Sequence, residues 1–220
     1  MKRLVYSLVS LLLVLQSCSK DETSKAVDLG LSVKWASCNI GAASPEDFGD
    51  FYSWGEVEKK GDYSHDTYRW YDSETGLYTK YNTVERFGAV DDLKQLQSSD
   101  DAASVIWGDK WRMPTLEEAK ELIDKCTWQW GKRNGVVGYI VKSKVNKKSI
   151  FIPAGGRMSG QNHYNNNGYE EHYRLGYYWT SSLNEKEPQS GKVLVFDFLG
   201  GPSENSAGRI FGLLIRPVCR

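Results

Sequence analysis

The sequence predicts an α+β fold, with two helices set among antiparallel strands and long irregular loops. Three observations carry that expectation. Strand-like segments come first, two helical segments follow, and a series of strand segments closes the chain, which is an α+β order. One helix start is marked by a complete capping signature, Thr115 with Glu118 behind Pro114. Aromatic residues are abundant, with eight Trp and thirteen Tyr, and large rings favour sheets.

The elements follow in order. Val33 to Ile40 reads as a strand, with Val33 and Trp35 on one face. Ser44-Pro45-Glu46-Asp47 is a turn or a short helix start, with Ser as cap and Pro at the first helical position. Asp50 to Trp54 reads as a second short strand. Residues 57–98 are polar and hold neither a period of 2 nor one of 3.6. They carry Tyr63, Tyr68, Trp70, Tyr71, Tyr78 and Tyr81, so we expect an irregular insertion pinned to the core by its rings. Ser99 to Trp107 reads as a helix with Ser99 as cap and Asp100 and Asp101 in the first turn, where the helix dipole favours acid. In Thr115 to Cys126, the residues Leu116, Ala119, Leu122, Ile123 and Cys126 form one apolar stripe, the core face of a helix. Trp128 and Trp130 then alternate, and Asn134-Gly135 marks a hairpin turn. Val136 to Lys142 forms the return strand, Lys147-Lys148 marks another turn, and Ile150 to Ile152 is a short strand. Residues 155–175 read as a Gly/Asn/Tyr-rich loop. Tyr177 to Ser181, Val193 to Phe198 and Phe211 to Val218 are three further strands.

The first residues are of another kind. Lys2 and Arg3 precede an apolar run from Leu4 to Leu15, broken only by Ser7 and Ser10. The run is too short for a bilayer span, which needs about 20 apolar residues, and has the size and flanks of a secretory signal. Leu15-Gln16-Ser17-Cys18 resembles the bacterial lipobox, in which the Cys becomes the first mature residue and carries acyl chains. The division expected is therefore a signal peptide over residues 1–17, a lipid-bearing Cys18 with a polar tether over 18–25, and one globular domain over 26–220. Ser19-Lys20-Asp21-Glu22 resembles the Lys-plus-acidic tag of Bacteroidetes lipoproteins displayed on the outer face of the outer membrane. The expected location is thus the outer membrane, held by lipid and facing the exterior.

The chain holds 28 basic and 28 acidic side chains, and removing Lys2 and Arg3 leaves 26 against 28. No basic stripe runs along the sequence, so nucleic acid is not an expected partner. About 200 mature residues suffice for one domain with its own core. With Cys18 acylated, Cys38, Cys126 and Cys219 remain, an odd number that allows one bridge and a buried thiol, or no bridge. No CxxC pair or Cys/His cluster suggests zinc, and no cofactor motif occurs.

Several phrases are distinctive in combination. They are Val27 to Ala36 (VDLGLSVKWA), Cys38 to Ala42, Tyr52-Ser53-Trp54-Gly55-Glu56, Asp100-Asp101-Ala102-Ala103, Trp107-Gly108 with Trp111 to Thr115, Tyr178 to Ser182, and Ile215-Arg216-Pro217-Val218. Together they resemble the Fibrobacter succinogenes major paralogous domain, over a stretch from about Val27 to the C-terminus. That resemblance implies a C-type-lectin-like fold related to the formylglycine-generating enzymes, in which first and last strands pair and close the domain. It also places Cys38 and Cys219 near enough to consider a bridge. The enzymes of this fold use a pair of reactive cysteines late in the chain. Here only Cys219 is late, so catalysis is not carried over.

The residues themselves offer few catalytic constellations: no G-x-S-x-G elbow, H-E-x-x-H helix, P-loop or EF-hand loop occurs. Glu187-Pro188-Gln189, with Asp197 beyond, is near the calcium loop of lectins but places too few oxygens for a hard cation. It reads as the tip of a hairpin over Asn184 to Gly191. The most unusual segment runs from Gly160 to Tyr173. Its Asn162, His163, Tyr164, Asn165, Asn166, Asn167, Tyr169 and Glu171 are amide, carboxylate and ring groups of the kind that grip sugars or protein surfaces. The alternative is a solvated loop whose tyrosines pack back on the domain. His163, His172 and Glu171 are weak candidates for a metal, and none is assigned. By resemblance, Asn184 to Arg209 is a second candidate face, and Trp70 with Tyr71 is a third. The expected role is a non-enzymatic, surface-anchored binding module for an unidentified glycan or protein. The alternatives are an enzyme using a formylglycine-type cleft and a structural component of the envelope.

Overall fold

The structure, a computed structural model, describes residues 25–165 and 174–220. Strands β1 (Ala26–Val27) and β2 (Lys34–Ala36) open the domain. The insertion that follows carries only a small hairpin, β3 (Tyr71–Asp72) with β4 (Leu77–Tyr78), and short 3-10 turns. Helices α1 (Ala102–Trp107) and α2 (Leu116–Lys125) come next. Then follow β5 (Cys126–Arg133), β6 (Val136–Ser143) and β7 (Ser149–Pro153), and the short pair β8 (Arg157–Ser159) and β9 (Asn162–Tyr164). Strands β10 (Gly176–Leu183), β11 (Ser190–Asp197), β12 (Gly201–Gly208) and β13 (Val218–Cys219) complete the chain. This is the α+β order the sequence predicts.

The strands form antiparallel sheets in the orders β1-β2-β13, β5-β6-β7 and β10-β11-β12. The last strand, β13, pairs with β2 in the opening sheet, Val218 opposite Trp35 and Cys219 opposite Lys34, while β1 flanks β2 on its other side. Arg216 locks that closure. It is fully buried, and its guanidinium donates to the Asn39 side chain and to the carbonyls of Ala36, Ser37 and Phe151. A planar fork of five donors can satisfy several carbonyls at once where a lysine could not.

Strand β10 separates two cores because successive side chains point to opposite faces. Tyr178 joins a cluster with Leu29, Trp35, Leu122, Val141, Phe196 and Leu214. Trp179 joins another with Trp54, Tyr81, Met113, Val193 and Leu213. Two indoles stitch the second core: Trp179 Nε1 donates to the Tyr52 carbonyl at 2.7 Å and Trp54 Nε1 to that of Thr180 at 2.8 Å. Among the described residues the first core spans Val27 to Val218 and the second Ile40 to Ile215, so residues 25–220 carry both.

The insertion is held as expected. Tyr63, Tyr68, Tyr78 and Tyr81 are buried. Beneath them lies a second fully buried arginine, Arg209, bonded to the Tyr68 hydroxyl and to the carbonyls of Lys80, Tyr81 and Pro188. Helix α2 keeps its capping box, with Glu118 also gripping Arg112 through both carboxylate oxygens at 2.7 and 2.5 Å. The Asn134-Gly135 turn has positive φ at both residues, 48° and 83°, as a tight hairpin requires.

Several expectations change. The strand over Val33 to Ile40 shortens to β2, because the carbonyls of Ala36 and Ser37 turn toward Arg216. Asp50 to Trp54 makes only a single bridge, Tyr52 opposite Leu213. The cap of α1 is Asp101, whose carboxylate accepts from the amides of Ala103 and Ser104, and not Ser99. Phe211 to Val218 is interrupted: Gly212, Leu213 and Leu214 bridge three different partners before β13 forms. Strand β12 was not expected, since Gly-Pro-Ser-Glu-Asn-Ser-Ala-Gly has poor strand propensity. It forms by pairing along its whole length with β11. Within residues 155–175 the loop contains the β8–β9 hairpin.

Candidate functional site

The β8–β9 hairpin carries the first of the predicted site residues. Arg157 lies opposite Tyr164, Met158 opposite His163 and Ser159 opposite Asn162. Its backbone is tied to the domain on both sides. Met158 and Gly212 exchange two hydrogen bonds at 2.8 and 3.1 Å, and Tyr63 and Gly160 exchange two at 2.9 Å. A short hairpin is marginal alone, and these four bonds supply what its own ladder lacks. Gly212 permits the approach, since a Cβ there would stand 2.5 Å from the Tyr63 ring.

All three β9 residues are exposed, Tyr164 to 44%, with Asn162 and Tyr164 on one face of the strand and His163 on the other. His163 packs edge-on to Phe51, centroids 5.1 Å apart, with Phe48 at 6.4 Å. One ring nitrogen lies 2.7 Å from the Gly155 carbonyl. That bond and those rings fix the imidazole, so His163 serves as a support, with Asn162 and Tyr164 on either side as the free groups. Arg157 lies over the rings of Phe211 and Tyr177, at 4.8 and 5.6 Å. The patch thus combines an exposed phenol, an amide and a guanidinium on an aromatic base, which suits hydrogen bonding and stacking with a polar ligand. Asn165 is half-buried at the end of the hairpin. Asn166, Asn167, Tyr169 and Glu171 lie outside the described residues, as does Cys18.

The second candidate face divides. The tip Asn184 to Gly191 is tied down by Pro188, whose carbonyl accepts from Arg209 at 2.9 Å, and Asp197 folds back on the Gly200 amide, so neither is arranged for calcium. The opposite turn, however, presents Phe198 and Leu199, 42% and 75% exposed. Phe198 stands edge-on to Trp130, which stands edge-on to Tyr139, with centroids 5.9 and 5.0 Å apart. Sequence reasoning placed Trp130 on a strand and missed this apolar turn; the Phe-Leu-Gly-Gly run at 198–201 was the available signal. The third candidate, Trp70 with Tyr71, is an anchor: Trp70 donates to the Gly55 carbonyl at 2.8 Å, and Tyr71 packs on His65 and Tyr78.

The three described cysteines, Cys38, Cys126 and Cys219, are free. Cys219 is opposite Lys34 in the β2–β13 pair, whereas Cys38 lies past the end of β2, and the two form no bridge. Cys219 lines a groove of about 520 Å³ with Asp109, Lys110, Trp111, Arg112 and Arg220. Burial pushes its thiol up, the opposite of the shift that makes a cysteine nucleophilic at neutral pH. Among the described residues no group of three His, Cys, Asp or Glu is placed to hold a metal, and no helix is long and apolar enough to cross a membrane.

The distinctive phrases of the sequence turn out to be fold-keeping. Asp101 caps α1 and also receives the Met113 amide at 2.8 Å, and Asn39 orients Arg216 while donating to the Tyr178 hydroxyl at 3.2 Å. Compared with models of protein families, with curated proteins and with solved structures, the chain matches none.

Proposed function

We propose that the chain is a lipoprotein held at the outer membrane through Cys18, and that residues 26–220 form a C-type-lectin-like domain of the Fibrobacter succinogenes major paralogous kind. In this reading it captures a glycan or protein at the cell exterior through the β8–β9 hairpin, without catalysing a reaction. The observation that carries the reading is the mounting of that hairpin. Its side chains at Asn162 and Tyr164 are outward, while four backbone hydrogen bonds to Tyr63 and Gly212 hold its frame still. A preorganised surface loses little freedom when a ligand arrives, which is what favours binding. The pairing of the last strand, β13, with β2 in the opening sheet supports the fold assignment, because the resemblance implies that the two ends of the domain close on each other.

The test is an array of glycans and host-surface proteins probed with residues 25–220. Saturable binding is expected, weakened about tenfold or more by Tyr164→Ala or Asn162→Ala, equivalent to about 1.4 kcal/mol, with the melting temperature unchanged. Binding that both variants retain in full places the site elsewhere. Mass spectrometry of the cell-derived protein should show acyl chains on Cys18; an unmodified thiol overturns the anchoring.

A further inference from the structure

The end of β6 and the turn into β7 hold four lysines in seven positions, Lys142 on the strand and Lys144, Lys147 and Lys148 beyond it, and no acid. All four are exposed, and Val145 between them is 62% exposed. Among the described residues none of the four is in an ion pair. The Lys144 and Lys147 ammonium groups donate only to the backbone carbonyls of Asp124 and Lys144, at 2.7 and 3.1 Å. The neighbouring carboxylates are Asp28, bonded to the Gly30 amide, Glu121, bonded to Ser32, and Asp124. They offset part of the charge and leave a positive excess in a domain that is otherwise slightly acidic.

The turn is also fastened to the start of the folded domain. Asn146 Nδ2 donates to the Asp28 carbonyl at 2.9 Å, Ser143 Oγ to that of Leu29 at 2.5 Å, and Val145 overlies Gly30. Asp28 is three residues from Lys25, at most about 10 Å of chain, and Cys18 is seven residues before that, at most about 25 Å. The ligand hairpin lies toward the other end of the β5–β6 ladder. His163 rests on Phe48, and Glu46, two residues before it, contacts Arg133 at 3.2 Å and Asn134. Eight-residue strands separate the two turns by roughly 25 Å.

We infer that the Lys142–Lys148 turn docks on an anionic lipid surface and so orients the domain with the β8–β9 hairpin away from the membrane. The inference rests on the proposed anchoring at Cys18, which delivers this end of the domain to the bilayer. Lysines attract the phosphate headgroups, and Val145 enters the headgroup boundary between them. Each lysine near an anionic surface contributes about 1 kcal/mol, a factor of about five in partitioning.

Residues 25–220, which carry no acyl chain, are tested by sedimentation with phosphatidylcholine vesicles containing or lacking phosphatidylglycerol. Binding is expected only with the anionic lipid, and should fall as salt approaches 1 M, where the screening length is about 3 Å. Lys142→Gln with Lys148→Gln, neither of which uses its ammonium in a bond that holds the fold, should weaken it about 25-fold with an unchanged circular dichroism spectrum. Equal binding to both vesicle types, or undiminished binding by the double variant, overturns the inference. Because the assay uses unacylated protein, its outcome is independent of the mass spectrometry on Cys18, so failure of docking and failure of anchoring are read separately.

Discussion

Replacing Arg209 by methionine keeps much of the side chain's length and removes every donor it has. In the native protein the guanidinium Nε donates to the Tyr68 hydroxyl at 2.8 Å, Nη1 to the carbonyls of Tyr81 and Pro188 at 3.0 and 2.9 Å, and Nη2 to that of Lys80 at 2.9 Å. Its centre also lies 4.8 to 5.4 Å from the rings of Trp54, Tyr68 and Tyr78. The bonds to Tyr81 and Pro188 are buried, and each buried acceptor left without a donor costs about 1–3 kcal/mol. Relief of burying a cation that forms no ion pair among the described residues runs the other way and offsets part of that cost. The net expected loss is about 2–4 kcal/mol, a large share of the 5–15 kcal/mol typical of a domain. The location of the loss is more telling than its size. Tyr68, Lys80 and Tyr81 belong to the insertion, so hydrogen exchange should accelerate over residues 63–82 while β11 stays protected. Urea unfolding followed by tryptophan fluorescence gives the magnitude, and exchange mass spectrometry gives the place. Arg209→Lys should behave similarly, since one ammonium cannot reach acceptors on several sides. A stability within about 0.5 kcal/mol of the wild type, the size of a neutral surface change, together with unaltered exchange over 63–82, would refute the latch and leave the tyrosines alone holding the insertion.

Trp179→Phe should cost about 2–3 kcal/mol in guanidinium unfolding, from a lost buried hydrogen bond to Tyr52 and the void left by a smaller ring. Burial pushes the Glu118 carboxyl up, but the fork from Arg112 and the Thr115 amide outweigh it and hold it below the usual carboxylate range; for Asp100, Lys80 and Tyr81 outweigh burial in the same way. Both contributions are therefore complete above the unfolded value of about 4 and are lost as pH falls through the lower folded values. Asp101 is raised by burial and has the opposite sign, its contribution fading as pH rises through its folded value. Thermal melts should thus show destabilisation setting in below about pH 4, with a flatter acid limb in Glu118→Gln; an identical limb in that variant counts against the fork. Ellman's reagent on native residues 25–220 should modify Cys219 first, because Cys38 and Cys126 are buried and burial pushes the Cys126 thiol up to about 11. Rapid reaction at Cys126 or Cys38, or fewer than three thiols after denaturation, would contradict the free-cysteine arrangement.

Local rules wrote much of this fold into the chain. Thr115 with Glu118 fixed the start of α2, Asn134-Gly135 fixed the β5–β6 turn, and the tyrosines of 57–98 marked an insertion that packs inward. Each of these depends on residues close in sequence, or on a ring too large to leave in water. Of the candidate site, residue types alone pointed to Asn162, His163 and Tyr164, yet only tertiary contacts separate the fixed His163 from its two outward neighbours. The placement of Arg209 and Arg216 was equally hidden. Nothing local marks a fully buried arginine, because most of its acceptors are backbone carbonyls that sequence does not distinguish and that come together only when separate segments meet. Strand β12 forms against its own propensity because β11 offers a complete row of backbone partners, and the basic turn reaches the start of the domain only through Asp28 and Leu29. Sequence determined which segments form helices, turns and buried rings, since those follow from neighbours a few residues away. The tertiary structure alone decided which acceptors receive the arginines and which ends of the molecule oppose each other, since most of those hydrogen-bond partners lie more than a hundred residues apart and are brought together only by the assembled backbone.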